Sequence, residues 1–279
     1  MMSLFNITKR GIHYIVKGIP TIQTYAKVTY LNPSEKLKGK KIIVTGGGRG
    51  LGYAMAKKFV SEGATVLISG RKEELLRKSS ETLGCKYLVF DVSDIRGAKL
   101  FIDKAEDELG GINCLVNNAG ISLHEESFLD VTEEQYDSQF DINLKGNFFL
   151  TQQFIRKKRQ ESNDEIRKIL FISSETSMTV DERPYGLTKA ALNSLIQGLA
   201  CKFFDNGFRI NAIAPGITAS EMTGFNEEGD LFISINPSKR VYLPGEVAEI
   251  ASFLLSDASN ILNGQIIYSN EGRTINTRW

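Results

Sequence analysis

KIIVTGGGRGLG, residues 41–52, decides the fold. Ile42, Ile43, Val44 and Thr45 are β-branched, stiff at χ1 and suited to a strand. The glycines that follow, at 46, 47, 48, 50 and 52, let the backbone turn tightly and come close to a ligand. A segment of helical period begins at once, with Leu51, Ala54, Met55 and Phe59 at i, i+3, i+4 and i+8. Strand, glycine turn and helix in that order collect free backbone N–H groups and the positive end of a helix dipole at one point, an arrangement that suits a pyrophosphate.

Further along, short β-branched runs alternate with helical segments. The strand candidates are residues 41–46, 65–70, 86–92, 112–118, 168–174, 209–215 and 264–269. Their apolar residues are nearly continuous rather than alternating, as in strands buried on both faces. The expected fold is therefore α/β: a Rossmann-like, doubly wound, parallel seven-stranded sheet with helices on both faces. These elements use up the chain from residue 41 to 275, so residues 39–279 are expected to form one domain.

Bulk composition removes several function classes. With 34 Lys and Arg against 33 Asp and Glu, no overall field points to nucleic acid. Cys85, Cys114 and Cys201 have neither the number nor the spacing of a disulfide framework or a zinc site. No metal is expected. No apolar run approaches membrane-spanning length, and no secretory signal is visible, so the expected location is cytoplasmic. The charge is nevertheless uneven: residues 1–41 hold eight basic side chains against the single acid Glu35. Residues 1–38 are read as a basic N-terminal extension. Its mix of Lys9, Arg10, Lys17 and Lys27 with Phe5, Ile12, Tyr14, Tyr25 and Tyr30 is compatible with weak contact to an anionic membrane surface and equally with packing on the protein itself.

The T-G-x-x-x-G-x-G spacing of Thr45, Gly46, Gly50 and Gly52 resembles that of the short-chain dehydrogenase/reductase family in its single-domain form, and the resemblance extends over residues 40–275. It implies cofactor contacts from Gly46, Gly48, Arg49, Gly50, Leu51 and Gly52. The second strand ends in Ser69-Gly70-Arg71-Lys72, with no carboxylate to accept a ribose 2′-OH. The Arg71 guanidinium offers a donor fork for a phosphate. Basic residues at positions 49 and 71 go with NADP(H) in the family. Asp91 and Val92 resemble its adenine contacts, although an Asp at a strand end also serves as a turn residue. Asn117-Asn118-Ala119-Gly120 matches the family's strand-supporting motif and adds Asn118, Ala119 and Gly120. Pro215, Gly216, Ile217 and Ser220 match its nicotinamide turn.

Tyr185 and Lys189 lie four apart on one helical face. An ammonium about 4 Å from a phenol would lower its pKa by roughly three units at an effective dielectric near 20. Tyr185 is thus expected near neutrality as general acid/base. Both residues also contact cofactor in the family. Ser174, at a strand end, is assigned the substrate oxygen, and the resemblance implies the remaining catalytic position for Asn143. The family places its serine about thirteen residues before the tyrosine, whereas Ser174 precedes Tyr185 by eleven and Ser173 by twelve, so the register between the two serines stays open.

Residues 219–240 are expected to cover the substrate, with Met222, Phe225, Leu231 and Phe232 as pocket or lid residues. His124 and Glu125 are read as solvated. The reading as a whole is an NADP(H)-dependent oxidoreductase acting on a carbonyl or secondary alcohol of a small molecule, and the resemblance implies a homo-oligomer. Two alternatives are carried beside it. One is a dinucleotide-binding regulator or scaffold of the same fold; the other, a sugar-nucleotide epimerase, needs a longer C-terminal region than this chain provides.

Overall fold

The computed structural model describes residues 25, 35–161, 165–179 and 181–275. Seven strands form one sheet: β1 Lys41–Thr45, β2 Thr65–Gly70, β3 Lys86–Val89, β4 Cys114–Asn117, β5 Arg167–Ile172, β6 Phe208–Pro215 and β7 Ile266–Ser269. All neighbours pair parallel in the order β3-β2-β1-β4-β5-β6-β7. The order reverses between β1 and β4, so the crevice above their C-terminal ends is the switch point at which such sheets bind ligands.

Among the described residues there are seven α-helices: α1 Gly50–Ser61, α2 Glu73–Leu83, α3 Ala98–Leu109, α4 Glu133–Phe140, α5 Asn147–Lys158, α6 Pro184–Phe203 and α7 Pro244–Leu255. Alternate strand residues feed two cores. Ile43, Leu67, Leu115, Ile169, Phe171 and Ile210 pack with Phe101 and Ile102 of α3, Phe154 of α5, and Leu192 and Ile196 of α6. Ile42, Val44, Val66, Ile68, Val116 and Leu170 pack on the opposite face with Met55 and Phe59 of α1, Leu76 of α2, and Val247 and Ala251 of α7. Because both side-chain faces are buried, these strands read as continuous apolar runs.

The edges depart from that pattern. β3 ends at Val89, which is half exposed, and β7 is only partly buried along its whole length. An edge strand has a neighbour on one side only, so the run 86–92 leaves the sheet early and Phe90 instead stacks on Phe101, ring centroids 4.2 Å apart. Leu37, within the stretch read as the extension, is fully buried in the second core, and its N–H donates to Glu62 O at 3.0 Å. The membrane or packing role expected for residues 1–34 lies outside the described residues, Tyr25 apart. Among the described residues no helix is long and apolar enough to cross a membrane.

Phe59 is completely buried between α1 and the sheet. Phe59→Ala should cost about 3–5 kcal/mol of stability, read from the denaturation midpoint at unchanged slope.

Candidate active site

A cleft of about 960 Å³ opens above the C-terminal ends of the strands. One end is the glycine turn. Arg49 stands at the N-cap of α1 in extended conformation with no side-chain cap, and the first turn holds no acidic residue, so the N–H groups there face the cleft uncompensated. Gly46 and Gly50 have φ of +64° and +54°, which strains any other residue. Gly52 is required for a different reason: a Cβ there would strike the Gly46 carbonyl and lie 2.6 Å from Asn118 Nδ2.

Asn118 joins this turn to the loop after β4. Its Nδ2 donates to Thr45 O at 2.8 Å and Gly46 O at 3.2 Å, while Thr45 Oγ1 accepts the Asn118 and Ala119 N–H groups, each at 3.0 Å. Ser79 Oγ of α2 holds Gly48 O at 2.8 Å. Gly48, Leu51, Arg71, Val92, Ala119, Pro215, Gly216, Ile217 and Ser220 all line the same cleft.

Both arginines of this end already have a carboxylate partner. Arg71 Nη1 lies 4.0 Å from Asp91 Oδ2, and Arg49 pairs with Glu221 from the segment after β6. These are exposed pairs, worth about 0–1 kcal/mol, and yield readily to a phosphate dianion. Asp91 also serves its own turn, its Oδ1 accepting Ser93 N–H at 2.9 Å and Ser93 Oγ–H at 2.7 Å.

At the other end, β5 delivers Ser173 and Ser174, and α6 delivers Tyr185 and Lys189. Ser173 Oγ turns away and donates to Asn193 Oδ1 at 2.7 Å, within a cluster completed by Ser177 and Tyr268. Ser174 instead lines the cleft together with Tyr185. Lys189 is buried, its Nζ donating to Ile172 O at 2.9 Å and lying 5.6 Å from the centre of the Tyr185 ring. Asn143 is fully buried in a π-helical turn, Asp141–Gly146, that joins α4 to α5. Its Oδ1 accepts Ile121 N–H and its Nδ2 donates to Ile121 O, both at 2.8 Å. Gly120 separates it from the lysine: a Cβ there would sit 3.2 Å from Asn143 Oδ1 and 3.6 Å from Lys189 Nζ.

The electrostatics differ from the expectation for Tyr185. Burial pushes its phenol above the ordinary value, the Ser174 hydroxyl opposes this, and the Glu175 charge adds to it. Burial meanwhile pulls the Lys189 ammonium down to about 8. Desolvation outweighs the attraction because the ammonium points at a carbonyl rather than at the phenol oxygen.

In the covering segment the candidate side chains divide between the cleft and packing. Met222 reaches the cleft, but Leu231 is buried in a small separate core with Ala219, Val241 and Leu243, against which Phe225 packs. Phe232 is not among the cleft-lining residues. His124 lines the cleft with φ of +55° and its Nε2 is 2.8 Å from Met222 O, while Glu125 is buried against Gln139. His124 is thus an exposed loop residue, as expected, and only Glu125 departs from that expectation. The sequence reading also passed over Glu175, Glu221 and Arg273, all of which line the cleft. The signal for Glu175 was an acid directly after a buried strand.

Comparison with known proteins agrees with this geometry. A family model described as enoyl-(acyl carrier protein) reductase matches residues 46–274. The chain belongs to the short-chain dehydrogenase/reductase family. It is 31% identical over 254 residues to oxidoreductase UcpA of Escherichia coli K12, a match covering 86% of this chain and 96% of that one. It is 33% identical over 247 residues to the 3-oxoacyl-[acyl-carrier-protein] reductase FabG of Aquifex aeolicus, covering 85% and 98%. A short-chain dehydrogenase from Burkholderia cenocepacia J2315, solved in complex with NADP, superposes with TM-score 0.75 at 27% identity, covering 85% and 99%. As a member of this oxidoreductase family the chain has a nicotinamide cofactor as its partner. The uncapped helix start and the glycine cradles fit that group.

Gly52→Ala should weaken NADPH binding at least about tenfold in a fluorescence titration, since the added methyl must push apart the two turns that form the pyrophosphate cradle.

Proposed function

We propose that the protein is an NADP(H)-dependent oxidoreductase that interconverts a carbonyl and a secondary alcohol on a small molecule. One observation carries the reading: Ser174 from the end of β5, and Tyr185 with Lys189 from α6, line the same cleft as the glycine turn. Bound nicotinamide supplies or accepts the hydride.

The side chains handle the oxygen. Ser174 donates a hydrogen bond to the substrate carbonyl oxygen, and Tyr185 transfers its hydroxyl proton to that oxygen as the carbon is reduced. The raised phenol of the resting site keeps that proton in place, a state suited to reduction. The resulting phenolate is favoured by the ammonium of Lys189, one helical turn away, while the Ser174 hydroxyl stays on the substrate oxygen. The Lys189 protons not given to Ile172 O are free to hold the cofactor ribose. Asn143 fixes the Ile121 backbone and, across Gly120, the surroundings of Lys189. Arg49 and Arg71 exchange Glu221 and Asp91 for the 2′-phosphate, which favours NADPH over NADH. The protein is, in this reading, cytoplasmic and, by its resemblance to the family, a homo-oligomer.

NADPH oxidation against ketoacyl thioesters, ketosugars and simple diketones tests the activity. Turnover with at least one class, lost by about a hundredfold or more in Tyr185→Phe, is the expected result. Ser174→Ala should fall similarly while Ser173→Ala retains most activity; the reverse would overturn the assignment of the serine. NADPH should be preferred at least about tenfold, and Arg71→Asp should invert that preference; equal use of both cofactors by the unmodified protein would refute it.

The pH profile has a defined sign. Lys189 titrates at about 8, so its ammonium is present below that pH and lost above it. The kcat/KM for NADPH, which reports the free enzyme, should therefore fall as pH rises through about 8.

A further inference from the structure

Ser174 is followed by a carboxylate that none of the chemistry above uses. Glu175 is only 3% exposed, and three donors from the C-terminal turn converge on it. Asn270 Nδ2 and Arg273 Nε each reach its Oε2 at 3.0 Å, and Arg273 Nη2 reaches its Oε1. The turn is braced in its own right, for Asn270 also donates to Thr274 Oγ1 at 2.9 Å and accepts Gly272 N–H at 3.2 Å. A two-pronged guanidinium on a buried carboxylate is a strong and directional contact, and removing one partner leaves an unpaired charge.

The contact reaches the serine through a short chain of bonds. Glu175 opens a 3₁₀ turn, Glu175–Met178, whose N-cap is Ser174. Ser174 Oγ accepts Thr176 N–H at 3.3 Å and Thr176 Oγ1–H at 3.0 Å, and Ser177 Oγ–H holds Ser174 O at 2.6 Å. The orientation of the serine hydroxyl thus follows that of the turn, and the turn is fixed by Glu175. The segment between Ser174 and Tyr185 is shorter than the family usually has, so an external anchor substitutes for the missing chain.

We propose that Glu175, clamped by Asn270 and Arg273, is a positioning residue that makes the C-terminal turn part of the catalytic centre and holds Ser174 against Tyr185. This rests on the reading that the serine and tyrosine address one substrate oxygen. The clamp also neutralises a charge. Glu175 and Ser174 face the phenol from the strand end and Lys189 from its own helix. Tyr242 and Glu271, whose side chains meet at 3.4 Å, stand by Glu175 and Arg273. With Arg273 removed, the Glu175 carboxylate acts on the phenol unopposed.

The test uses the full chain as wild type, Arg273→Gln, Arg273→Lys and the double variant Glu175→Gln with Arg273→Gln. Three quantities are read: kcat on a carbonyl that the wild type reduces, NADPH binding by fluorescence, and ionisation of Tyr185 by ultraviolet difference titration against Tyr185→Phe. Arg273→Gln should lower kcat about tenfold or more and move the Tyr185 titration up by about one pH unit. NADPH binding should stay within about twofold, because the Arg273 side chain spends its hydrogen bonds on Glu175, and the substitution leaves the glycine turn, Arg49 and Arg71 in place. The double variant should bring the titration back to or below the wild-type position, and Arg273→Lys, which keeps the charge without the fork, should fall between. An Arg273 series that leaves Tyr185 titration and kcat untouched, or that lowers thermal stability and NADPH binding together with no change particular to Tyr185, overturns the proposal. A wild type without carbonyl reduction whose Tyr185 titration still follows Arg273 would sink the functional reading while supporting the clamp.

Discussion

The site depends on one knot of hydrogen bonds where β1 and β4 end. Thr45 and Asn118 trade backbone and side-chain contacts across the switch point, so the glycine turn and the loop after β4 behave as a single rigid piece. The glycine turn and the start of α1 lie on one side of that piece. On the other, Gly120 brings Asn143 and Lys189 into register. The sheet beneath supplies rigidity rather than chemistry, since its two cores fix where the strand ends stand.

Much of this was legible in the sequence, and for a physical reason. Strands buried on two faces carry an unbroken apolar signature, so all seven appear in the sequence to within a few residues at each end, except the run 86–92, whose last three residues leave the sheet. Glycines that admit no Cβ are likewise visible because nothing else can occupy those places. What could not be read is what depends on contacts distant in sequence. Glu175 meets its partners 95 and 98 residues away, and no local pattern announces that pairing. The same holds for Glu221, which finds Arg49 172 residues away. Edge strands blur the pattern for a simpler reason, since half of their surroundings is solvent.

The contrast at Tyr185 is of another kind. Spacing correctly places the lysine one turn away, but spacing carries no information about solvent. Burial acts on both groups at once, raising the acid and weakening the base. The cleft therefore holds a neutral phenol beside a lysine whose charge is easily lost. Two groups poised in this way respond strongly to any cation or anion that enters, more so than a pre-formed phenolate would.

The π turn at Asp141–Gly146 has one more consequence. Gln139, Asn143 and Asn147 are spaced four apart along the rod that runs from α4 into α5, and all three are buried. The wider winding there holds an inward amide in line with the amides before and after it. Loss of a single residue from that turn would return the rod to ordinary pitch with its two halves still nearly in register, whereas loss of one from α4 or α5 would swing everything beyond it through about 100°. This helix should accordingly accept many changes of side chain on its outer surface and hardly any change of length outside the π turn.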